Sequence, residues 1–207
     1  MPSSSQWVAF LVASIRFIQV PGPSLLFTIG RALTVGRREA LLSVLGNALG
    51  LMAQVSLVAV GLGAVVAASA TAYTAIKFAG AAYVIWLGVQ AIRHRSDARK
   101  AMETATPVRR GHPVRIGFTV GATNPKTIVF FVAFLPQFAD PAGPVALQTL
   151  LLGLVFGVLA VASDTVWALA AGAARDWFAR RPTRLDALSA TGGTMMIGLG
   201  TTMLTVD

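Results

Sequence analysis

An apolar stretch that begins at Trp7 is interrupted by Pro21-Gly22-Pro23 and resumes as far as about Leu33. Proline removes a backbone hydrogen-bond donor and clashes with the preceding helical turn, and glycine weakens a helix further. The 14 residues from Trp7 up to the interruption would rise about 21 Å as a helix, at about 1.5 Å per residue. The sequence therefore predicts a long apolar helix that is broken deep inside its length.

The composition of the whole chain indicates whether water or lipid surrounds this helix. The 207 residues are 55% hydrophobic and 12% charged, and their mean hydropathy is +0.70. Soluble domains carry about 25% charged residues, and a much smaller share could not cover a water-facing surface. We therefore predict an integral membrane protein. Because the chain has no cysteine, disulfides, thiolate metal sites and thiol redox chemistry are excluded.

Six apolar stretches match the length of a membrane span, which takes about 20 residues to cross about 30 Å of hydrocarbon. They run from Trp7 to about Leu33, Leu41 to Ala68, Ile76 to Ile92, Ile116 to Phe138, Val145 to Ala174 and Leu188 to Val206. The predicted fold class is therefore all-α, with six transmembrane helices. No cleavable signal peptide is expected before the first helix, because residues 1–6 contain no basic side chain.

The basic residues are concentrated in alternate connections between these stretches. The 17 Lys and Arg outnumber the 8 Asp and Glu, for a net charge of +9. The first, third and fifth connections hold 14 of the 17: Arg31, Arg37, Arg38, Arg93, Arg95, Arg99, Lys100, Arg109, Arg110, Arg115, Arg175, Arg180, Arg181 and Arg184. Since loops rich in Lys and Arg stay in the cytoplasm, both termini are predicted outside. The positive charge is interpreted as topological, beside anionic lipid headgroups, and no nucleic-acid partner is predicted.

The chain also repeats itself in two halves. Pro23 of the first interruption is matched 102 residues later by Pro125 of Asn124-Pro125, inside the fourth stretch. Two glycine pairs of the first half recur in the second: Gly46 and Gly50 as Gly153 and Gly157, and Gly80 and Gly88 as Gly192 and Gly200. Because three spans per half is an odd number, the two halves must lie in the membrane in opposite orientations.

These matches predict an inverted repeat whose first and fourth helices are broken at Pro-Gly-Pro and Asn-Pro. Residues 1–92 form the first three-helix unit, 93–115 a basic cytoplasmic linker and 116–207 the second unit. This architecture is typical of secondary transporters. The glycine pairs are interpreted as sites of close helix packing, and they could also form the contact at which one half moves against the other.

The two interruptions indicate a binding site, because free backbone groups at this depth must line protein or water. The half-helices that start near Ser24 and Lys126 would point free N–H groups and a positive dipole end into the interior. Such an end suits a carboxylate. A simple structural kink is the alternative interpretation of each proline.

Three ionisable residues lie within the predicted spans and away from their ends: Arg16, Lys126 and Asp164. A charge at mid-span costs about 2.5–3.5 kcal/mol on insertion scales, which usually means pairing or a polar cavity. Asp164 is the predicted proton carrier, with a permanent salt bridge to Lys126 or Arg16 as the alternative. Lys126 is interpreted as a counter-ion for Asp164 or for a substrate carboxylate, or else it snorkels to the interface. Arg16 is a candidate partner of a substrate carboxylate.

The remaining polar residues on the spans suggest no catalytic chemistry. Asn47, Gln54 and Gln19 are each interpreted as interhelical hydrogen bonds. His94 and His112 belong to the basic linker and have no acidic partners at the spacing of metal ligands. Neither a phosphate-cradling loop nor a nucleotide fingerprint occurs. We therefore predict no cofactor, no metal and no enzymatic activity.

Several of these motifs together resemble the LysE/RhtB family of amino-acid exporters. The similarity is carried by Pro21-Gly22-Pro23-Ser24-Leu25-Leu26, by Arg31 to Arg38 with Gly46 and Gly50, by Gly117-Phe118 with Asn124-Pro125-Lys126, and by Phe130 to Phe138. It extends from about residue 7 to the end of the chain. The chain departs from the family at Ser24, where Asn or Asp is often found, and at Arg16, where an apolar residue is usual.

The resemblance implies a secondary exporter of amino acids or their derivatives from the bacterial cytoplasm, in the inner membrane and driven by the proton gradient. Taken with the residue analysis, it points to the following substrate-binding residues: Pro21, Gly22, Pro23, Ser24, Asn124, Pro125, Lys126 and Arg16. Asp164 would couple transport to protons. The predicted partners are a small-molecule substrate and membrane lipid, with a homo-oligomer left open.

Other functions stay open alongside amino-acid export. The cargo could be another small metabolite or a metal cation, although the interior of the spans offers one acid and two bases and no histidine or cysteine ligand set. A non-transporting membrane assembly protein would leave the paired proline interruptions unexplained. A membrane oxidoreductase that works through cysteine pairs is excluded because the chain has no cysteine.

Overall fold

The computed structural model describes residues 1–68, 70–96, 99, 112–140, 142–174, 177 and 180–205. Every regular element among them is helical, which confirms the all-α prediction. In chain order the elements are α1 (Ser4–Gln19), α2 (Pro23–Thr34), α3 (Arg37–Ala68), α4 (Ala70–Arg93), α5 (Pro113–Ala122), α6 (Pro125–Val129) followed by a π turn (Phe130–Phe134) and a 3₁₀ turn (Leu135–Phe138), α7 (Val145–Ala173) and α8 (Thr183–Thr205).

Two described helices are long and apolar enough to cross a membrane by themselves, at Arg37–Gly61 and Val145–Ala173. Two bent pairs pass the same test when each is taken as one span, which gives up to four candidate spans. These pairs are α1 with α2, and α5 with the segment Pro125–Phe138. Over their described residues, α4 and α8 do not meet the test, so the count of six spans remains a prediction.

Five helices begin three to six residues before the predicted apolar stretches, and the largest differences are at α4 and α8. The structure starts α4 at Ala70 rather than Ile76, and α8 at Thr183 rather than Leu188. The connection predicted at 69–75 is therefore wrong from Ala70 onward, where the chain is helical. The prediction marked only the apolar length, whereas a helix is held by backbone hydrogen bonds that polar residues make equally well. The predicted linker, 93–115, lies mostly outside the described residues.

Each proline motif coincides with a helix end and a change of direction. The axes of α1 and α2 differ by 49°, and those of α5 and the segment Pro125–Phe138 by 42°. The second helix of each pair has a proline, Pro23 or Pro125, in its first turn. Proline is tolerated there because the N–H that it lacks would have no helical acceptor.

The helices α3 and α5 cross with their backbones in close contact. A Cβ on Gly46 or Gly50 of α3 would overlap the backbone of α5, and a Cβ on Gly117 or Gly121 of α5 would overlap the backbone of α3. Small residues spaced by four allow this approach. The packing interpretation of Gly46 and Gly50 is confirmed, and the partners that make it work are the glycines of α5.

Three apolar clusters fill the interior of the described bundle, the smallest of them formed by Val20, Ala81, Val84, Ala133 and Met196. The first lies among α1, α3, the π turn and α7: Phe10, Phe17, Leu51, Val55, Phe130, Phe131, Leu135, Leu152 and Phe156. The second lies among α2, α3, α7 and α8: Leu25, Ile29, Ala32, Leu33, Ala40, Ala168, Ala171 and Leu185. Three rings of the first cluster touch, with the Phe130 centroid 4.3 Å from that of Phe17 and 4.9 Å from that of Phe156.

Ion pairs lie at the two ends of the bundle. The Met1 amino group pairs with Asp140 at 3.2 Å, which brings the N-terminus to the connection that precedes α7. A hydrogen bond from the Ala142 N–H, together with the amino group, lowers the pKa of the Asp140 carboxyl. Because α7 runs from this end to the other, the pair of Arg99 with Asp186, at 2.9 Å, lies at the opposite end, where α8 begins.

The outer surface of the bundle carries large apolar side chains. Leu57 and Val60 of α3 are 75% and 81% exposed, and Val158 and Val166 of α7 are 63% and 65% exposed. Extended apolar surface of this kind is unfavourable in water. The surface is therefore suited to lipid, in agreement with a helical membrane protein.

Candidate functional site between the two helix breaks

A cavity of about 40 Å³ lies where the two helix breaks meet. Its lining comes from both breaks and from α3 and α7: Phe17, Ile18, Val20, Gly22, Ser24, Leu25, Asn47, Leu51, Gly121, Asn124, Lys126, Thr127, Phe156, Ala160 and Asp164. A water molecule takes about 10–15 Å³ on this scale, so the cavity has room for about three waters. An amino acid would require it to widen.

Lys126, which belongs to the second half of the chain, supplies hydrogen-bond donors at the first helix break. Its ammonium group donates hydrogen bonds to the carbonyl oxygens of Phe17 and Val20, at 2.7 and 2.6 Å, and lies 4.3 Å from the centroid of the Phe17 ring. The helical donor for the Phe17 carbonyl would be residue 21, a proline with no N–H. The lysine therefore replaces the hydrogen bond that Pro21 cannot make, at the negative end of the α1 dipole.

The position of Lys126 depends on a glycine, and it decides whether this lysine snorkels to the membrane interface. A Cβ on Gly22 would lie 2.8 Å from Lys126 Cδ, so the glycine leaves space for the lysine to reach α1. Lys126 is 5% exposed, and its ammonium group is bound inside the protein. The snorkelling interpretation of Lys126 is therefore wrong.

Gln54 of α3 supplies the hydrogen-bond donor at the second helix break. Its Nε2 lies 2.8, 3.0 and 3.2 Å from the carbonyl oxygens of Gly121, Ala122 and Asn124. The helical donor for the Gly121 carbonyl would be Pro125, which again has no N–H. The hydroxyl of Thr127 donates back to Gln54 Oε1 at 2.7 Å. Both polar ends of the glutamine are thus engaged at the break.

The half-helices that start at the two breaks differ at their N-termini. Asn124 caps α6, because its side-chain oxygen accepts from the Lys126 N–H at 3.1 Å. Gly22 precedes α2 and offers no side-chain cap. In the described part of the chain, the N–H groups of Ser24 and Leu25 have no acceptor, and the buried Ser24 hydroxyl has no partner. The N-terminus of α2 therefore presents free donors to the cavity.

Asp164 and Asn47 meet in the same cavity. Asn47 Nδ2 donates to Asp164 Oδ2 at 3.2 Å, and the two residues are 5% and 6% exposed, respectively. The other end of the Asn47 amide, Oδ1, is buried and has no partner among the residues that the structure describes. Among the described residues, no ion pair joins Asp164 to Lys126 or to Arg16. The structure therefore does not contain the permanent salt bridge considered as the alternative for Asp164.

The structure brings together most of the residues that the sequence proposed for the site. Those that line the cavity are Gly22, Ser24, Asn124, Lys126 and Asp164. Pro21 and Pro125 lie beside it at the breaks without lining it, and Pro23 is exposed on the first turn of α2. The prolines shape the site by leaving carbonyls without donors, rather than by touching its contents.

Arg16 is not brought to the cavity. The inward side of α1 is formed by Phe10, Ser14 and Phe17, and Arg16, which directly precedes Phe17, lies about 100° around the helix from it. Its side chain is exposed and does not line the cavity. Arg16 therefore takes no part in the site proposed below.

Two polar residues that the sequence treated as structural belong to the site. The interpretation of Asn47 and Gln54 as interhelical hydrogen bonds is confirmed, but these bonds reach Asp164 and the second break. A signal was present for Gln54, which follows Gly46 and Gly50 at a spacing of four and so shares the face of α3 that meets α5. No sequence signal pairs Asn47 with Asp164, because the two lie 117 residues apart.

Comparison with known proteins gives consistent matches over almost the whole chain. A family model described as LysE type translocator matches residues 15–206. An uncharacterized membrane protein of Vibrio cholerae is 36% identical over 200 residues, which is 96% of each chain. A homoserine/homoserine lactone efflux protein of Salmonella typhimurium is 34% identical over 194 residues, 94% of this chain and 93% of its own.

A more distant match covers part of the chain. A leucine efflux protein of Klebsiella pneumoniae is 25% identical over 134 residues, 65% of this chain and 63% of its own. No solved structure matches.

Proposed function

Because the chain belongs to the LysE type translocator family, we propose that it exports amino acids or amino-acid derivatives from the bacterial cytoplasm. Two of the relatives are named as efflux proteins, one for homoserine and its lactone and one for leucine. All three compounds carry an amino group, whereas the lactone has no free carboxylate. The observation that carries the proposal is the single cavity in which both helix breaks meet the buried carboxylate of Asp164.

The proposed architecture is a pair of inverted three-helix units, residues 1–92 and 116–207, joined by the linker 93–115. Helix packing supports it, because matched elements have matched neighbours. The α3 helix of the first unit packs on α5 of the second, and α7 of the second unit packs on α1 and α2 of the first. A two-fold axis in the membrane plane would produce this exchange.

The matched glycines support the same symmetry. Gly80 of α4 lies against Val129, just after the second break, and its counterpart Gly192 of α8 lies against Pro21 in the first break. Gly88 and Gly200 both lie in the contact between α4 and α8. Movement of one unit against the other would then widen the cavity alternately toward each side of the membrane, with the N- and C-termini outside.

The substrate carboxylate is proposed to bind at the N-terminus of α2. The free N–H groups of Ser24 and Leu25 and the unpartnered Ser24 hydroxyl are the donors, and the helix dipole favours an anion there. In α6 the corresponding N–H is already bound by Asn124. Lys126 contributes positive charge to the same cavity while it holds α1 in place.

Asp164 is proposed to carry the coupled proton. It is buried with one side-chain hydrogen bond, from Asn47, so gain of a proton removes a charge that is costly at this depth. One charge that crosses a potential of about 100 mV provides about 2.3 kcal/mol. This corresponds to a concentration ratio of roughly 40-fold, at about 1.4 kcal/mol per tenfold. A single proton per substrate is therefore sufficient to clear a metabolite from the cell.

Growth of cells that express the protein tests the proposal. We expect expression to give resistance to toxic amino-acid analogues, and Asp164→Asn to abolish it with normal protein levels in the membrane. Asp186→Asn is the matched control, because it makes the same change in a carboxylate that pairs with Arg99 at the end of the bundle. Proton-coupled export that is undiminished in Asp164→Asn would remove the proposed role, and no resistance from the wild-type chain would count against amino-acid export.

A further inference from the structure

The Asn47–Asp164 pair lines the cavity and contains a buried acceptor that has no partner among the described residues. In the described chain Asn47 Oδ1 is buried and has no hydrogen-bond partner, and the residue is only 5% exposed. Its Nδ2 holds Asp164 Oδ2 at 3.2 Å, and both residues line the cavity. A buried carbonyl oxygen without a donor is unfavourable. A ligand that brings N–H donors would satisfy it, and an ammonium group could use the amide oxygen and the carboxylate together.

Lys126 does not occupy these acceptors. Its ammonium group is bound to the carbonyls of Phe17 and Val20, at 2.7 and 2.6 Å, and lies against the Phe17 ring. It therefore neutralises the cavity as a whole without forming an ion pair with Asp164 among the described residues. A second cation, brought by a ligand, would therefore meet a carboxylate to which Lys126 is not hydrogen-bonded.

The other charged groups on elements packed against α7 lie away from Asp164. Arg16 is exposed on the outer side of α1. Arg31, near the end of α2, pairs with Glu39 at 3.7 Å. Arg37, which starts α3 together with Arg38, contacts Gly172, about 12 Å along α7 from Asp164 at about 1.5 Å per residue. None of them forms an ion pair with Asp164 in the part of the chain that the structure describes.

This inference rests on the export function proposed above. We propose that Asn47 and Asp164 bind the ammonium group of the substrate, so that substrate and proton compete for one carboxylate. The proton that enters from outside on Asp164 leaves to the cytoplasm when the ammonium group replaces it there. Because Asp164 accepts either one proton or one ammonium group, one proton enters for each molecule exported.

The competition defines the substrate class. The site takes small molecules with a protonated primary amine, and a free carboxylate adds the contact at α2. An amide nitrogen carries no charge, so N-acylated derivatives lose the pairing with Asp164. Acids without an amine lose it as well. Homoserine lactone keeps the amine and loses only the carboxylate contact.

Counterflow of radiolabelled homoserine in proteoliposomes of the full chain tests the substrate class. Four unlabelled competitors are compared: homoserine, homoserine lactone, N-acetylhomoserine and 4-hydroxybutyrate. We expect the first two to compete, and the two compounds without a charged amine to be at least tenfold weaker. The affinity for homoserine should also fall as the pH is lowered, because a protonated Asp164 cannot pair with the ammonium group.

Variants at Asn47 separate this role from a structural one. We expect Asn47→Ala to weaken competition by homoserine at least tenfold, and Asn47→Asp, which supplies a second carboxylate, to retain or strengthen it. Thr28→Ala is the matched control, because Thr28 is also buried with an unpartnered oxygen but does not line the cavity. Its affinity should be unchanged. Thermal unfolding of each purified variant verifies folding, and the competitor series in the wild-type chain does not depend on any variant.

The possible failures are distinguishable. Equal competition by N-acetylhomoserine or 4-hydroxybutyrate would overturn the ammonium site and leave amino-acid export standing. Homoserine affinity that rises or is constant as the pH falls would overturn the competition with protons. Absence of counterflow with homoserine and with leucine, in a chain that unfolds cooperatively, would overturn the proposed function and this inference with it.

Discussion

Both helix breaks lack a backbone hydrogen-bond donor, and a different side chain supplies the donor at each. In each, a proline leaves one carbonyl without its helical donor: Pro21 at the Phe17 carbonyl and Pro125 at the Gly121 carbonyl. The first receives the ammonium group of Lys126 at 2.7 Å. The second receives the neutral amide of Gln54 at 2.8 Å.

We call Lys126 the charged cap of the first break and Gln54 the neutral cap of the second. The two differ in how rigidly they are held. Gln54 belongs to α3, whose backbone already touches α5 through Gly50 and Gly121, so the second break is held by a fixed contact. Lys126 reaches the first break across the cavity with a long side chain, beside Asp164. We infer that the second break serves as scaffold, and that the first can open when the charge balance in the cavity changes.

The largest effect is expected from removal of the charged cap. Lys126→Ala removes the ammonium donor from the Phe17 and Val20 carbonyls and leaves the buried Asp164 without a compensating charge. An uncompensated buried charge costs about 3–5 kcal/mol, and this should appear as a lower thermal unfolding midpoint of the detergent-purified protein. Lys126→Gln keeps a donor and removes the charge, so recovery in this variant measures the cap alone. An unchanged midpoint in Lys126→Ala would refute the cap at the first break.

A pair of glycine substitutions compares the space at the two breaks. A Cβ on Gly121 would overlap the backbone of Asn47, whereas a Cβ on Gly22 would meet only the side chain of Lys126. Backbone cannot move as a side chain can, so we expect Gly121→Ala to cost about 3 kcal/mol and Gly22→Ala less than about 1 kcal/mol. Both are measured as thermal unfolding midpoints. Equal losses would contradict the distinction between a fixed and an adjustable break.

Removal of the neutral cap should have an intermediate effect. Gln54→Met keeps the length of the side chain but supplies no donor to the Gly121, Ala122 and Asn124 carbonyls. We expect a loss of about 2 kcal/mol in the free energy of unfolding, the scale of a buried group left unsatisfied. Ser56→Ala, at an exposed serine that bonds its own helix, is the control and should change stability by less than about 0.5 kcal/mol. A loss no larger than that of the control would show that water replaces the amide.

The smallest effects are expected at the two N-termini. Asn124→Ala removes the cap of α6 and should cost about 1 kcal/mol of stability. Ser24→Ala removes a hydroxyl that bonds nothing in the described chain, so it should change stability by less than about 0.5 kcal/mol. It should instead raise the KM for a substrate with a carboxylate in counterflow. An unaltered KM in Ser24→Ala would argue against the carboxylate site at α2.

The helical fold class, the apolar membrane-type surface and the helix ends at the prolines could be predicted because they follow from local properties of the residues. The hydropathy of an apolar stretch is a property of its own residues, and it indicates a membrane environment. A proline likewise lacks the backbone N–H donor whatever surrounds it. The helix ends near Pro21 and Pro125 and the small-residue contacts of Gly46 and Gly50 therefore needed no knowledge of neighbours. The early starts of α4 and α8 were missed because helical hydrogen bonds extend past the apolar residues that the prediction used.

The site itself required the tertiary structure. Sequence reasoning named Lys126 and Asp164 as charges that must find partners inside the membrane, because charge at that depth is costly. Packing alone decided that Lys126 would bind the Phe17 and Val20 carbonyls, 109 and 106 residues away, that Asn47 would hold Asp164, and that Arg16 would face outward. The cost of a buried charge is a property of the residue, whereas the group that offsets it depends on which backbone the fold brings within hydrogen-bond distance.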